Sequence, residues 1–555
     1  MSKRYKAIFF IIIVVFLATR FLGVDFVYHQ DEHRWVQLAD GTVQEASPHP
    51  PLTLTLMKLT GAIVGFSNLR ILSIFFSFID LWLVYLIVGK IFNKKVAIAA
   101  TLLFVLNIYS LVAGLQVDMD GAILPFFILL GYYGYLGLLR GGNKRCFLFL
   151  LSFAVVGGLL TKASFVLFLA ALILDYFFVL HERYGDNFIN ALKRVLKVSI
   201  PALALIVLLF YFYFSRLHAI IDYAMNFKSF DFGSRAYLEL AFKVAKSFVW
   251  LSPLLTLPAI LGLFIKEVRD RQRFWYLYVF VNLLFYLILF DFAKLTIERY
   301  FMFLIVPSVI ITSDVLYYFY KKISFALSFK KFAVGVGTFF AFVFLIFSRT
   351  YVILPLNPKT AYLEYVRSLN FDFLIPFSSS SGPIGFYFSA QFILWSWLIM
   401  ALFLAGLILI KTKEYKTLIF TTFLVFGLGY NIIFMDELLR GNLYGSPDKV
   451  VRQTLNYVLN EPLIKKVITY NDIAPYDLKK SGKYEARFYT ALTRDYVARL
   501  TAYRGYYMIV DFPEIDKPGR YWDLIQRCNK IKQFKDKDIN SYIFDCHSVP
   551  PTSIR

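Results

Sequence analysis

The sequence predicts an all-α polytopic membrane bundle of about thirteen transmembrane helices, followed by a small extracytoplasmic α/β domain. Three observations carry this prediction. The 555-residue chain is 59% hydrophobic and 19% aromatic, with a mean hydropathy of +0.61. Apolar runs near the length that crosses a hydrocarbon core recur up to Met435. After Met435 the composition turns polar, with short strand-like runs between turns.

The expected spans run roughly over 5–23, 69–89, 96–114, 122–139, 146–160, 163–180, 197–215, 247–265, 274–290, 299–319, 332–348, 389–410 and 417–435. The first run lacks a small-residue cleavage site and many spans follow it, so it reads as a retained helix rather than a signal peptide. Between the first two, HPPL starts a helix with Pro in its first turn. TLTLMKLTGAIVGF, too short to span easily, reads as an interfacial shelf. Residues 1–436 thus form the transmembrane module and 437–555 the tail domain. KKVITY and GYYMIV read as strands there, and YWDLIQRC as a helix.

Charge orders these spans. With Lys3, Arg4 and Lys6 cytoplasmic, every even-numbered loop is rich in Lys or Arg, from KIFNKK (90–95) to KTKEYK (411–416). The net charge of +22 then belongs beside anionic membrane lipid and calls for no nucleic acid. The alternation predicts a plasma-membrane protein with a cytoplasmic N-terminus and an extracytoplasmic tail domain. Cys528 and Cys546 lie in that tail, either paired or as unrelated thiols.

The outer face collects the chemistry. Asp31 and Glu32 follow the first span, and Asp118 and Asp120 precede the fourth. Lys162 sits at the turn between the fifth and sixth, and Lys294, Arg299 and Tyr300 lie at the start of the tenth. A carboxylate can take a proton from a nucleophile, and cations can hold a departing phosphate. A phosphate tethered to a lipid must come to such an interface. Each residue also has a structural reading. The acids could cap helices, and Lys162 and Arg299 could be snorkelling span ends. His29 and His33 share a helical spacing that would suit a metal, with His49 or nearby acids as the only further ligands, so no cofactor or metal is called for.

These residues resemble the GT-C superfamily of membrane glycosyltransferases, and more narrowly the lipid A aminoarabinose transferase and protein O-mannosyltransferase families. The motifs are an outer DEHRW (31–35), HPPL (49–52), Arg70 opening the second span, LQVDMDGAILPFF (115–127), GGLLTKASF (157–165) and ERYFMFLIVP (298–307). The resemblance implies an inverting transfer of sugar from a dolichyl- or undecaprenyl-phosphate donor to a lipid, glycan or protein acceptor on the outer face. By it, Asp31 is the general base or an acceptor-binding carboxylate with Glu32 as partner, and Asp118 or Asp120 is the second acid. Lys162, Arg299 and Lys294 hold the donor phosphate. His49, Arg34 and Tyr300 lie on the acceptor and loop side. The segment 349–388 is long for a connection and suits a lid.

The alternative is a multi-pass transporter or flippase of lipid-linked sugars. Such proteins show internal repeats and broken spans with polar residues at mid-membrane. Apart from Asp80 and Asp314, the expected spans are clean and the acids sit at their outer ends, which favours transfer. An O-antigen polymerase or ligase would need an Arg-rich late outer loop, and 349–388 holds only Arg349 and Arg367.

Overall fold

The computed structural model describes residues 3–29, 31–44, 49–184, 189–197, 236–289, 298–323, 328–354, 360–377, 382–470, 473–488, 500, 502–511 and 520–549. The chain forms two compact units. One is Met1–Arg20 with Leu38–Phe325, and the other is Phe21–Gln37 with Ala326–Arg555.

The first unit is helical. Helix α1 is Lys3–Phe21; helix α2, Asp31–Asp40, begins in the second unit. Next come α3 (Pro51–Val64), α4 (Arg70–Ile91), α5 (Lys94–Val105) and α6 (Ile108–Leu115). Then follow α7 (Leu124–Leu139), α8 (Lys144–Thr161) and α9 (Val166–Tyr184). The shelf helix α3 forms as expected, with Pro51 at its first turn and Gly65, at φ 86°, beyond its end. Tyr132, Phe168, Phe274 and Trp275 pack ring against ring and lock α7 and α9 to the helix Arg273–Leu284.

Among the described residues, eight helices are long and apolar enough to cross a membrane, or ten if two bent pairs each count as one span. The expected thirteen are not reached. The seventh, 197–215, falls outside the described residues beyond Lys197. The first span is helical but carries Lys3, Arg4, Lys6 and Arg20, and the ninth is the shorter apolar helix Arg273–Ile288.

The two bent pairs correct the expectation of clean spans. The third span breaks by 67° between α5 and α6, and the eighth by 100° between Leu251 and Pro253. The causes are local. Asn107 leaves the helix and caps α6, its Oδ1 accepting the Ser110 N–H at 3.0 Å. Ser252 lies at φ 72°, a region unfavourable for a side-chain-bearing residue, ahead of the helix-starting Pro253. The two breaks meet, because the Asn107 amide donates to the Leu251 carbonyl at 2.9 Å. Carbonyls freed at membrane depth need protein donors. Buried Arg20 supplies one, donating to the Val105 carbonyl at 3.1 Å and to the Ser110 hydroxyl at 3.3 Å.

The second unit contains the apolar helices Phe329–Phe347, Ala390–Leu409 and Lys413–Arg440 and two sheets. Segment 349–388, expected as a long connection, folds into strands β1 (Val352–Ile353), β2 (Phe373–Phe377) and β3 (Phe386–Ser389) with a helix, Thr360–Arg367. Its apolar residues explain this, since β2 and β3 bury nearly every side chain. The tail sheet contains β4 (Val467–Tyr470), β5 (Tyr484–Phe488), β6 (Tyr506–Val510), β7 (Asn529–Asp536) and β8 (Ile539–Asp545). Its order is β5-β4-β6-β8-β7, with β4 parallel to β5 and β6, and β8 antiparallel to β6 and β7. The helix Arg520–Ile525 precedes β7, and Cys528 and Cys546 form a disulfide within a core containing Tyr470, Tyr507 and Phe544.

Candidate functional site

In the first unit the sequence between α6 and α7 is shaped by backbone anchors. Arg70 and Ser73, one turn apart on α4, bind the carbonyls of Leu115 and Gln116 at 2.9 and 2.5 Å. The chain then enters a π-helical turn, Met119–Ile123, capped by Asp118, whose Oδ1 accepts the Met119 N–H at 2.5 Å. A Cβ on Gly121 would stand 2.2 Å from the Ala113 carbonyl oxygen, so only glycine lets the turn pack against α6. Turns of this kind recur at functional sites.

That turn presents two carboxylates to two cations. Arg299 Nη1 lies 3.3 Å from Asp118 Oδ2, and Lys162 Nζ lies 2.6 Å from both Asp120 oxygens. Lys162 stands in extended conformation between α8 and a 3-10 turn, Ala163–Phe165, so the broken helix aims it inward. Arg299 and Tyr300 lie in the 3-10 turn Glu298–Leu304 that leads into the helix Ile305–Ile323. Tyr300 organises both cations. Its ring lies under Lys162 and Arg299 at 4.9 and 4.7 Å, and its hydroxyl accepts from Arg299 Nη2 at 2.8 Å. A small cavity beside them is lined by the polar Asp120, Ser164, Asn282, Tyr286, Arg299 and Tyr300 and by apolar residues that include Leu124, Phe168 and Phe303.

Burial alone would raise the Asp118 carboxyl. The charges of Arg299, Lys162 and His49 outweigh it and hold the group below the usual carboxylate range. Burial alone would lower Lys162, but Asp120 dominates the opposing pull and holds the ammonium above its ordinary value. The arrangement keeps both groups charged in a site where they are largely shielded from water, the condition under which charges act strongly on an incoming anion.

Asp118, Asp120, Lys162, Arg299 and Tyr300 are therefore brought together, with the charge of half-buried His49 felt at Asp118. Asp118 also has the structural reading considered for it, as a helix cap. Lys294 lies outside the described residues. Gln116, Tyr286 and Ser164 were missed. Gln116 Nε2 lies 3.4 Å from Asp118 Oδ2, and its Oε1, in a buried side chain, has no hydrogen-bond partner among the described residues. The LQVD run held that signal, whereas Tyr286 is one aromatic among many in its helix.

Asp31, Glu32 and Arg34 belong to the second unit and open α2. Glu32 is fully buried and its Oε2 accepts the His29 N–H at 3.1 Å, a side-chain cap at the helix entrance. Asp31 is half-buried and Arg34 is exposed. The tail domain holds this segment. The Val27 N–H donates to Asp448 Oδ1 at 2.8 Å, His29 pairs with Ile473 as an antiparallel bridge, Tyr28 meets Tyr476 edge-on, and Lys479 reaches Gln37 at 3.2 Å. Among the described residues, no group of three or more His, Cys, Asp or Glu could hold a metal ion.

The family described as dolichyl-phosphate-mannose-protein mannosyltransferase matches residues 48–214, a segment that includes His49, Asp118, Asp120 and Lys162. No curated protein matches the sequence. Among solved structures, ArnT from Cupriavidus metallidurans in the apo state is similar over 96% of this chain and 97% of its own, at 12% identity and a TM-score of 0.53. The same protein bound to undecaprenyl phosphate covers 100% of both chains at 12% identity and a TM-score of 0.49. The S. cerevisiae protein O-mannosyltransferase Pmt1-Pmt2 complex covers 39% of this chain and 35% of its own, at 18% identity and a TM-score of 0.32. By its apolar helices the chain is a multi-pass membrane protein; it shares the fold of the apo ArnT structure, and its residues 48–214 match the mannosyltransferase family.

Proposed function

We propose that the chain is an inverting glycosyltransferase that takes a sugar from a polyprenyl-phosphate and passes it to a lipid, glycan or protein acceptor at the non-cytoplasmic face. The observation that carries the reading is the paired ionic cluster Asp118–Arg299 and Asp120–Lys162, stacked on one tyrosine at the ends of membrane helices. Lys162 and Arg299 hold the donor phosphate by exchanging part of their carboxylate contact for phosphate oxygens. The open Gln116 acceptor and Asp118 orient a sugar hydroxyl. Asp31 takes the proton of the acceptor nucleophile, which attacks the anomeric carbon as the phosphate leaves. A disulfide in the tail domain fits an oxidising, extracytoplasmic compartment.

The test is transfer of labelled sugar from synthetic polyprenyl-phosphate donors by purified protein in a native lipid extract. Transfer is expected, and Asp31→Asn should lower it by roughly 10²-fold or more while folding is kept. Wild-type turnover in Asp31→Asn would remove the base from this account. The bent spans are a feature of transporters as well. Movement of lipid-linked sugar between leaflets without transfer would favour that second reading.

A further inference from the structure

The helices that bear the ionic cluster at one end bear a second charged cavity at the other. A cavity of about 590 Å³ opens among Tyr5, Asn93, Lys94, Lys95, Tyr317 and Lys321. Lys94 and Lys95 open α5, and Lys321 closes the helix Ile305–Ile323. The wall is built rather than incidental. Asn93 Oδ1 accepts from the Lys95 and Val96 N–H groups, its Nδ2 donates to the Tyr317 hydroxyl at 3.1 Å, and Lys321 Nζ lies 4.5 Å from the Tyr317 ring centroid. Among the described residues, none lining the cavity is acidic. Asp314, whose charge is felt from Lys321, is already engaged by both Arg271 Nε and Nη2. Three like charges around one hollow repel one another and favour an anion between them.

Depth identifies the anion's source. The 19-residue helix Ile305–Ile323 begins five residues after Tyr300 and ends at the cavity. It is about 28 Å long, one hydrocarbon thickness. The α5–α6 pair likewise runs from Lys94 to Leu115, three residues short of Asp118. The cavity therefore sits at the interface of the leaflet opposite the ionic cluster, and its tyrosines stand where interfacial aromatics gather. Beyond Tyr5, α1 leaves Phe10, Ile11 and Val14 exposed, an apolar wall along which an acyl chain can lie.

We propose that this cavity binds the phosphate head group of an anionic phospholipid from the leaflet opposite the ionic cluster. Basic pockets between membrane helices suit such head groups, each lysine contributing severalfold in affinity. The site is independent of the sugar-transfer reading, since no residue of the cluster lines it.

The test is native mass spectrometry of the full-length protein titrated with phosphatidylglycerol or with phosphatidylcholine of the same chains. Preferential retention of phosphatidylglycerol is expected. The triple variant Lys94→Gln, Lys95→Gln, Lys321→Gln should weaken it by roughly a hundredfold. Lys144→Gln with Arg145→Gln, an exposed pair elsewhere, should leave it unchanged. Lys321→Gln alone should give a smaller loss in the same direction should the triple variant fold poorly. Equal retention of both lipids, or undiminished phosphatidylglycerol binding in the lysine variants, would overturn the proposal. Displacement by millimolar inorganic phosphate would assign the cavity to a free anion and overturn it too.

Discussion

Lys162 is the residue on which the ionic cluster depends most. It and Asp120 are each about nine-tenths buried, so removing one partner strands a charge. Lys162→Gln should destabilise the protein by about 3–5 kcal/mol, and adding Asp120→Asn should recover most of that. Thermal unfolding of the three proteins checks this, and neither variant should regain transfer. The pH dependence follows from the signs. Asp118 titrates below its unfolded value, so its contribution is present above the usual carboxylate range and is lost as pH falls through the depressed value. Lys162 titrates above its unfolded value, so its contribution is complete below the ordinary lysine range and is lost as pH rises through the elevated value. The stability gap between wild type and Asp118→Asn should thus be level near neutrality and close in acid, as melting across pH would record. At this scale the sequence was informative, because acids and cations are rare in such a chain and Asp118, Asp120, Lys162 and Arg299 stood out by type. Gln116 and Tyr286 did not, because a neutral amide and one more tyrosine carry no signal until the backbone turns them inward.

At the scale of elements, the breaks govern geometry. The Asn107 side chain caps α6 and ties it to the Leu251 carbonyl, while Arg20 binds the carbonyl that ends α5 and Arg70 the carbonyl that ends α6. Asn107→Ala removes a cap and a buried hydrogen bond and should cost about 1–3 kcal/mol. The same change should lower transfer more than it lowers donor affinity, since α6 leads into the acid-bearing turn; parallel kinetics and binding measure this. Gly121→Ala should be worse tolerated than any change of similar size nearby, because its Cβ would strike the Ala113 carbonyl. The spans were legible as apolar runs, but hydropathy averages over a window and is blind to a bend at one Asn or Ser. Segment 349–388 was misread for a related reason. Its strands β2 and β3 are rich in Phe and bury nearly every side chain on both faces, so they show no alternation to separate them from a connection.

For the whole molecule, the tail domain gains a task that its sequence did not announce. Its Asp448 and Ile473 hold the Phe26–His29 approach to Asp31, so the candidate base is carried by residues more than four hundred positions away in the chain. Asp448→Ala should lower transfer while leaving lipid-phosphate binding intact, a split that sugar-transfer and binding assays resolve. Opening the Cys528–Cys546 bridge with Ser at both positions should cost about 3 kcal/mol for a loop of this length, read as earlier unfolding of the tail. The most direct measurement of the central claim is binding of a polyprenyl phosphate to the intact protein and its variants. The account predicts that Lys162→Gln and Arg299→Gln each lose about tenfold or more in affinity, while Asp31→Asn binds as the wild type does. Equal binding by all four proteins would contradict it.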